Sequence, residues 1–316
     1  MATTAQSLSK AIQGLWRDRS NDPSQLPKAL AFAPVNQVLG NGQFQILSND
    51  LRLDAQDPAQ GALRADNADY ALGDFGYGTV DVQTQRYASL LYKLPQSVID
   101  AIEGQNGFVN VADDAMKAVS NQILDGFTAQ FVAEVTANAT ALGTLDLSVV
   151  STDILAYFDA AIEAIELAGS KRPTHLLMGA AAFRAFRNMD QVQGSTALGG
   201  AASGGSFRRT GYAPMSAVGE FFRAAFGLEI LVEDRTFINS AGAAAYTLST
   251  SMVLGYAGDP TGGSVITFAK TPGFIDFDVR ELSLPSPMGI GVAANAHYSV
   301  KVADADKVRR IPVTLP

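Results

Sequence analysis

Two histidines, His175 and His297, are the only side chains in this 316-residue sequence that titrate near neutral pH without special help. Hydrolytic or transfer chemistry needs such a base beside a nucleophile. His175 lies in the apolar run Thr174-His175-Leu176-Leu177-Met178, a setting that reads as packing or interface. Neither histidine belongs to a recognisable motif. The sequence has no cysteine, which excludes disulfides, thiolate zinc sites and cysteine nucleophiles. HExxH and GxSxG are both absent. No lysine follows a glycine, so a Walker A loop cannot form. Gly289-Ile290-Gly291-Val292-Ala293-Ala294 lacks the third glycine of a dinucleotide fingerprint and opens no convincing helix. Asp57, Asp66 and Asp69 lack EF-hand spacing and read as turn residues. No catalytic, cofactor-binding or metal-ligating residue is therefore nominated, and the chain is expected not to be an enzyme.

Composition bounds the alternatives. Apolar residues make up 47% of the chain, enough for a substantial core. Charged residues make up 17%, against roughly 25% in a typical soluble domain. Apolar surface that identical copies would cover is the expected consequence. The net charge of −8 and pI near 4.8 oppose global attraction to nucleic acid. Local basic spots at Lys171-Arg172, Arg208-Arg209 and Lys307 with Arg309-Arg310 read as solvated surface. The N-terminus lacks a secretory apolar region, and no run approaches ~18 apolar residues. Synthesis and assembly in the cytoplasm, with no membrane partner, is the expectation.

The elements follow from periodicity. Residues 1–35 read as an arm, with a short amphipathic helix around Ser7–Arg17 that carries Trp16. Residues 36–95 are strand-like and loop-like, with brief alternation at Gln43–Leu47 and Thr79–Thr84. So long a span suits a projecting hairpin docked on a neighbour, and Phe75, Tyr77, Tyr87 and Tyr92 favour docking over disorder. Asn110 to about Asn138 reads as one long amphipathic helix. Asn110 is its expected cap, Asp113 and Asp114 sit in its first turn, and Met116, Val119, Ile123, Phe127 and Phe131 mark its buried stripe. Thr152–Ala168 is a second helix capped by Ser151 or Thr152, and Gly169 and Pro173 end it. A buried strand Thr174–Met178 and a helix Ala180–Met189 follow. Gln191–Tyr212 is a Gly/Ser/Ala-rich loop ending in Arg208-Arg209. Ser216–Phe226 is helical. Strands are expected at Leu228–Val232, Ala245–Thr250 and Ser264–Ala269. The alternating tail from Phe274 to Leu315 looks like antiparallel sheet.

This order of parts is specific: arm, strand-rich excursion, long helix, capped helix, the passage Lys171-Arg172-Pro173-Thr174-His175-Leu176-Leu177-Met178, short helix, Gly-rich loop, sheet. With Phe32-Ala33-Pro34-Val35 before the excursion and Arg64-Ala65-Asp66-Asn67 inside it, the chain resembles the major capsid proteins of tailed bacteriophages, which share the Hong Kong 97 (Johnson) fold. The resemblance covers nearly the whole chain and is one of architecture. It implies an α+β fold with an N-terminal arm (1–35), an extended loop with flanking strands (36–95) and a peripheral domain with a spine helix (96–148). An axial domain (149–258) follows, and residues 259–316 supply return strands of the peripheral domain and C-terminal strands of the axial domain.

It also implies a subunit that forms pentamers and hexamers of itself around double-stranded DNA, held by non-specific contact. Separate scaffolding, portal and decoration proteins are the implied further partners, and the virion is the implied location. Trp16, Arg52, Arg64, Phe75, Arg208 and Arg209 are the residues nominated for contact between subunits. No cofactor is implied. Two other functions stay open: a cellular nanocompartment shell of the same fold, and, from a different class, a soluble α+β enzyme. A tail or baseplate protein is a further structural option.

Two departures from family features bear on assembly. Some members join neighbours covalently through a lysine on the extended loop, but this sequence has no lysine between Gly40 and Tyr92. Others begin with a long scaffolding segment; only about 35 residues precede the excursion here, so scaffolding is expected to be a separate protein. Fully denatured particles should run as one monomer band on a gel, and a ladder of linked chains would overturn the absence of a covalent mesh.

Overall fold

The computed structural model describes residues 26–38, 41–47, 77–95, 97, 108–168, 172–194, 215–238, 244–257, 264–270, 274–282, 289–303 and 305–316. Five labelled helices are α1 (Lys28–Phe32), α2 (Phe108–Asn138), α3 (Ile154–Leu167), α4 (Ala180–Phe186) and α5 (Met215–Phe226). A single helical turn spans Asp190–Gly194. The strands are β1 (Val35–Gln37), β2 (Gly42–Leu47), β3 (Tyr77–Val82), β4 (Gln85–Ala88), β5 (Tyr92–Pro95), β6 (Thr140–Ala141), β7 (Leu145–Asp146) and β8 (His175–Gly179). They continue with β9 (Glu229–Glu233), β10 (Thr236–Ile238), β11 (Ala244–Tyr246), β12 (Ser251–Gly255), β13 (Val265–Ala269), β14 (Asp276–Leu282), β15 (Gly289–Val302) and β16 (Val308–Thr314).

The first sheet is organised around β15. Along one edge β15 pairs antiparallel with β5 and then β4, and along the other with β14 and then β13. β1 closes the outer side of β13 in parallel. Neither border is regular. From Ala88↔Asn295 to Tyr92↔Val292 the β4–β5 side advances one residue more than β15, which makes a bulge. From Ala269↔Tyr298 to Asp276↔Asn295 the other side carries four extra residues. That insertion holds Phe274 at a φ of 71°, and its ring meets Phe127 at 5.2 Å and Tyr298 at 4.8 Å.

The even-numbered residues Ile290 to Val300 of β15 face α2 and form the first core with Met116, Val119, Ile123, Leu124, Phe127, Phe131 and Val135. Their spacing of three and four residues keeps one helix face on the sheet. At 1.5 Å per residue the 31-residue helix spans about 46 Å.

The second sheet runs β6-β16-β12-β8-β9, with β7 also on β16. Its faces serve different cores. Leu177, Val253 and Val308 point into the first core, whereas Leu176, Met178, Met252, Leu254 and Ile311 point into a second. This alternation makes the sheet a shared wall. The second core is closed by α3, α4 and α5, with Phe158 meeting Phe222 at 5.0 Å and Phe226 at 5.6 Å, and Phe186 meeting Phe222 at 5.2 Å. Gly227, at a φ of 71°, ends α5 in the left-handed conformation that glycine adopts without strain. Gly179 is required by close approach, because a Cβ there would lie 1.7 Å from the Leu248 carbonyl oxygen.

Several sequence expectations need correction. Helical structure already runs through Phe108 and Val109, so Asn110 lies inside α2 and does not cap it, and Asp113 and Asp114 fall beyond its first turn. Asp153, not Ser151 or Thr152, caps α3 by accepting the Ala156 N–H at 3.1 Å. The Thr152 hydroxyl is spent on the carbonyls of Asp146 (2.7 Å) and Val149 (2.9 Å). α4 stops at Phe186, where the amides of Asn188 and Met189 tighten onto carbonyls three residues back. The expected strand Ala245–Thr250 is instead β11 followed, after a bend, by β12. The antiparallel strands of the tail divide between the two sheets: β14 and β15 pair with each other, while β16 pairs with β12 in the second sheet.

Lys307 and Arg309 are buried rather than solvated. The Arg309 guanidinium donates to the Ala305 carbonyl at 3.0 Å and to the Ala164 carbonyl near the end of α3 at 3.3 Å. Tyr87, read as a docking residue, instead packs within its own chain on Tyr298 at 4.4 Å, because β4 belongs to the first sheet.

Phe127→Ala should lower the unfolding free energy of the unassembled chain by about 3–5 kcal/mol in urea. Leu155→Ala, on the outer face of α3, should stay within about 0.5 kcal/mol. Equal effects at the two positions would contradict the placement of the core.

Candidate assembly surface

The frame holds out several surface features and fixes them through polar joints. One joint brings α1, β9 and α2 together. The Glu233 carboxylate is buried at the end of β9 on the face toward the first core. Its Oε2 accepts the Ala29 N–H, one of the unpaired donors of the first turn of α1, at 3.1 Å. Its Oε1 accepts the Arg235 N–H at 3.3 Å. The Arg235 guanidinium reaches Asp125 of α2 at 2.8 Å. Residues 26–38 are thereby held on their own chain, with Ala29, Phe32 and Ala33 fully buried. Burial pushes the Glu233 pKa upward, against its two amide donors and the nearby Arg235 charge.

A second feature is the bulge between β4 and β5. Ser89 stabilises it: its amide donates to the Ala294 carbonyl and its hydroxyl accepts the Ala294 N–H, each at 2.8 Å. The Leu90 N–H, displaced from the ladder by the extra residue, is taken by Gln122 of α2 at 2.8 Å. The result turns Leu90 out to solvent at 75% exposure, beside Tyr92 at 43%. Leu91 lies over Gly291, where a Cβ would come within 2.8 Å of its Cδ1. This is a supported apolar ledge beside α2, of the kind that contacts between proteins cover.

A third feature is a cleft of about 690 Å³ between α2, β15 and the turn from β3 to β4. Tyr87, Gln130, Glu134 and Lys301 line it. The buried Tyr298 hydroxyl at its wall has no hydrogen-bond partner among the described residues. Burial raises the Tyr298 pKa further from neutrality, so the phenol keeps its proton. Glu134 lies 4.0 Å from Lys301.

The best arrangement for chemistry is at His175. Its Nδ1 lies 2.8 Å from the Thr174 hydroxyl, and its Nε2 lies 3.6 Å from Glu229. The order hydroxyl, imidazole, carboxylate invites comparison with a nucleophile and its base. The Glu229 contact is too long for the hydrogen bond that orients such a ring. Thr174 Oγ1 also accepts the Ala257 N–H at 3.3 Å. Burial lowers the His175 pKa, with Glu229 opposing. These contacts fix a neutral ring at a strand end. Among the described residues, no group of three or more acidic or histidine side chains could hold a metal ion.

The six residues nominated from sequence, Trp16, Arg52, Arg64, Phe75, Arg208 and Arg209, all lie outside the described residues. The structure instead brings forward Glu233 and Leu90, the latter beside Tyr92, one of the aromatics that the sequence marked for docking. No periodic signal marked Glu233 or Leu90, because a bulge and a buried carboxylate arise from long-range pairing.

Glu233 yields a pH test. Its folded pKa is above its ordinary value of 4.5, so the ionised carboxylate opposes folding at neutral pH. That cost is relieved as pH falls through the raised value and is gone below the ordinary one. Relative to Glu233→Gln, the parent chain should gain stability in urea unfolding from about pH 7 to about pH 4.5. A parent that loses ground over that window would mean that the amide donors outweigh burial.

No family model matches the sequence, and no curated protein matches it. Solved structures do match. A phage-related protein from Bordetella bronchiseptica RB50 is 15% identical, with 97% of this chain and 95% of that chain covered and a TM-score of 0.55. The capsid structure of the cyanophage P-SCSP1u gives 11% identity, 90% and 87% coverage and a TM-score of 0.55. A virus-like particle from Pyrococcus furiosus gives 8% identity, 96% and 98% coverage and a TM-score of 0.55. The chain has the α+β fold of phage capsid proteins over essentially its whole length, as the order of its parts implied.

Proposed function

We propose that the chain is a major capsid protein, a subunit that assembles with its own copies in rings of five and six into a closed shell around double-stranded DNA. The observation that carries the reading is the likeness over most of both chains to a solved capsid structure: 90% of this chain and 87% of the cyanophage capsid chain align in one fold. The supported apolar ledge at Leu90 and the low charged fraction agree with it. In this reading residues 96–148 with α2 are the spine of a peripheral domain, and residues 149–258 form an axial domain at the ring centres. Residues 259–316 return to both, 1–35 form the arm and 36–95 the extended loop. Trp16, Arg52, Arg64, Phe75, Arg208 and Arg209 remain proposed contact residues, joined by Leu90 and Tyr92. Scaffolding, portal and decoration proteins are proposed further partners, and the virion the location after assembly in the host cytoplasm.

The physics supports such a role. One sequence must serve rings of five and six, so its contacts cannot all be identical. Contacts of ordinary size, ~800 Å² per partner, suffice when each added subunit meets several neighbours at high effective concentration. An acidic wall need not attract DNA that a motor forces inside.

The Pyrococcus furiosus particle has the same fold, so content rather than architecture separates a genome-holding shell from a cargo compartment. Negative-stain microscopy of the expressed chain should give polyhedral or tubular particles, and particles from infected cells should carry a nucleic-acid absorbance ratio. A compact monomer or small oligomer would overturn the shell. Leu90→Asp should leave chain stability within about 0.5 kcal/mol. It should lower particle yield at fixed concentration by at least about tenfold, the equivalent of 1.4 kcal/mol.

A further inference from the structure

Asn41-Gly42 stands at the base of the β2–β3 hairpin, and Gly42 is the first residue of β2. Gly42 pairs with Val82, the last residue of β3. Both Asn41 and Gly42 are exposed. Glycine puts no side chain beside its own nitrogen, so that nitrogen meets the least hindrance in attacking the amide of a preceding asparagine.

The fold does not require glycine at this position. Gly227 alone among the described glycines has a positive φ. A Cβ built on Gly42 would meet no atom within 4 Å. What the missing side chain leaves open is the approach to Asn41.

The Asn41 carboxamide is held by one residue. The Thr84 N–H donates to Asn41 Oδ1 at 3.1 Å, and the Thr84 hydroxyl donates to the same oxygen at 3.0 Å. A backbone N–H can only donate, so the atom facing it is the oxygen and not the amide nitrogen. Two donors on one carbonyl oxygen stabilise the negative charge that gathers there when a nucleophile attacks the carbon. Thr84 lies just beyond β3 and 43 residues from Asn41, so these donors arrive only when the hairpin has formed.

We propose that Asn41 is an autocatalytic modification site, at which Thr84 activates the carboxamide for attack by the Gly42 nitrogen. The Gly42 nitrogen gives its proton to water and bonds to Asn41 Cγ. The displaced charge sits on Oδ1 between the two Thr84 donors. Collapse expels the side-chain nitrogen, which takes up one proton and leaves as ammonia, and a five-membered succinimide remains. Water reaches this exposed turn and opens the ring at either carbonyl; nothing is oxidised or reduced. One opening gives aspartate, whose carboxylate lies where the two donors already point and accepts more strongly than an amide. The other gives isoaspartate, which routes the main chain through the side-chain methylene and lengthens it by one atom. Gly42 is at the end of its ladder, so freeing its nitrogen disturbs only the end of the β2–β3 pairing. The outcome is a slow, irreversible change of charge and backbone length at the root of the hairpin. This chemistry is independent of the shell reading.

The full-length chain is held at neutral pH for days and sampled by peptide mapping. Mass spectrometry reads the exchange of NH2 for OH at position 41, and enzymatic methylation counts isoaspartate. Asn41 should convert, with both products present. Gly42→Ala has room for its methyl group, so it should fold as the parent does and reduce conversion at position 41 to the level of asparagines not followed by glycine. Thr84→Val keeps the side-chain shape and removes one donor. It should slow conversion about two- to tenfold, the range expected for one hydrogen bond. In urea, where Thr84 no longer meets Asn41, the parent and Thr84→Val should convert at equal rates. A folded Thr84→Val chain that converts as fast as the parent, or faster, would mean that Thr84 restrains Asn41 and would overturn the assignment. Three other results overturn it too: an Asn41 that stays intact in the folded parent, a Gly42→Ala chain that converts at the parental rate, or a Thr84→Val effect that survives in urea.

Discussion

The burial of one face of α2 on β15 is the contact on which the other elements depend. β15 is paired along both edges, so its backbone is satisfied without solvent over most of its length, and α2 then seals one face. The stripe from Met116 to Val135 meets the even-numbered side chains of β15, and the rings of Phe127, Tyr298, Phe274 and Tyr87 interlock at its centre. A fully buried aromatic side chain contributes about 1.5–3 kcal/mol. Several in contact make this region the least able to shift. The irregularities of the first sheet are tied to the same contact. The four-residue insertion seats Phe274 in the cluster, and the bulge at Ser89–Leu91 is anchored to α2 through Gln122.

The second sheet transmits that rigidity. Because its residues alternate between the two cores, neither core can slide without disturbing β8 and β12. Gly179 lets β8 pass directly against the Leu248 carbonyl, an approach that any side chain would prevent. Glu233 and Arg235 add a polar joint at the same wall, tying α1 and α2 to the end of β9. A buried carboxylate held by two amides contributes little net stability. It gives position to α1, and so to the point from which residues 1–25 depart.

A rigid double core with supported surface features suits the proposed shell. Compact cores keep their shape from one ring to the next, while ledges at the periphery supply contacts of modest strength. The low charged fraction limits repulsion between acidic copies. Burial of Lys307 and Arg309 removes two of the cations that sequence placed on the surface.

How much could be read from sequence differs by element. The long helix α2, the capped helix before Pro173, the apolar strand containing His175 and the stop at Gly227 were all legible, because each depends on periodicity or on a residue with a fixed backbone preference. Asn110 and Thr152 were misassigned as caps, since several polar residues near a helix start compete and only the backbone path decides which one is free to cap. Tyr87 and Arg309 were misassigned for a different reason. An aromatic or a cation in a polar stretch reads as surface until the partner strand, some two hundred residues away for Tyr87, is known.

The candidate site was the least legible part. The ledge at Leu90 exists because β4 and β5 share one partner out of register, and the cleft at Val300 because β4 ends before β15 does. The sequence by itself determined the local elements, the overall α+β order and the lack of a catalytic motif, since these follow from short-range spacing and residue type. Only the tertiary structure decided which edges are paired, which charges are buried and which surfaces are held open, because those depend on contacts between segments whose separation along the chain carries no local signal.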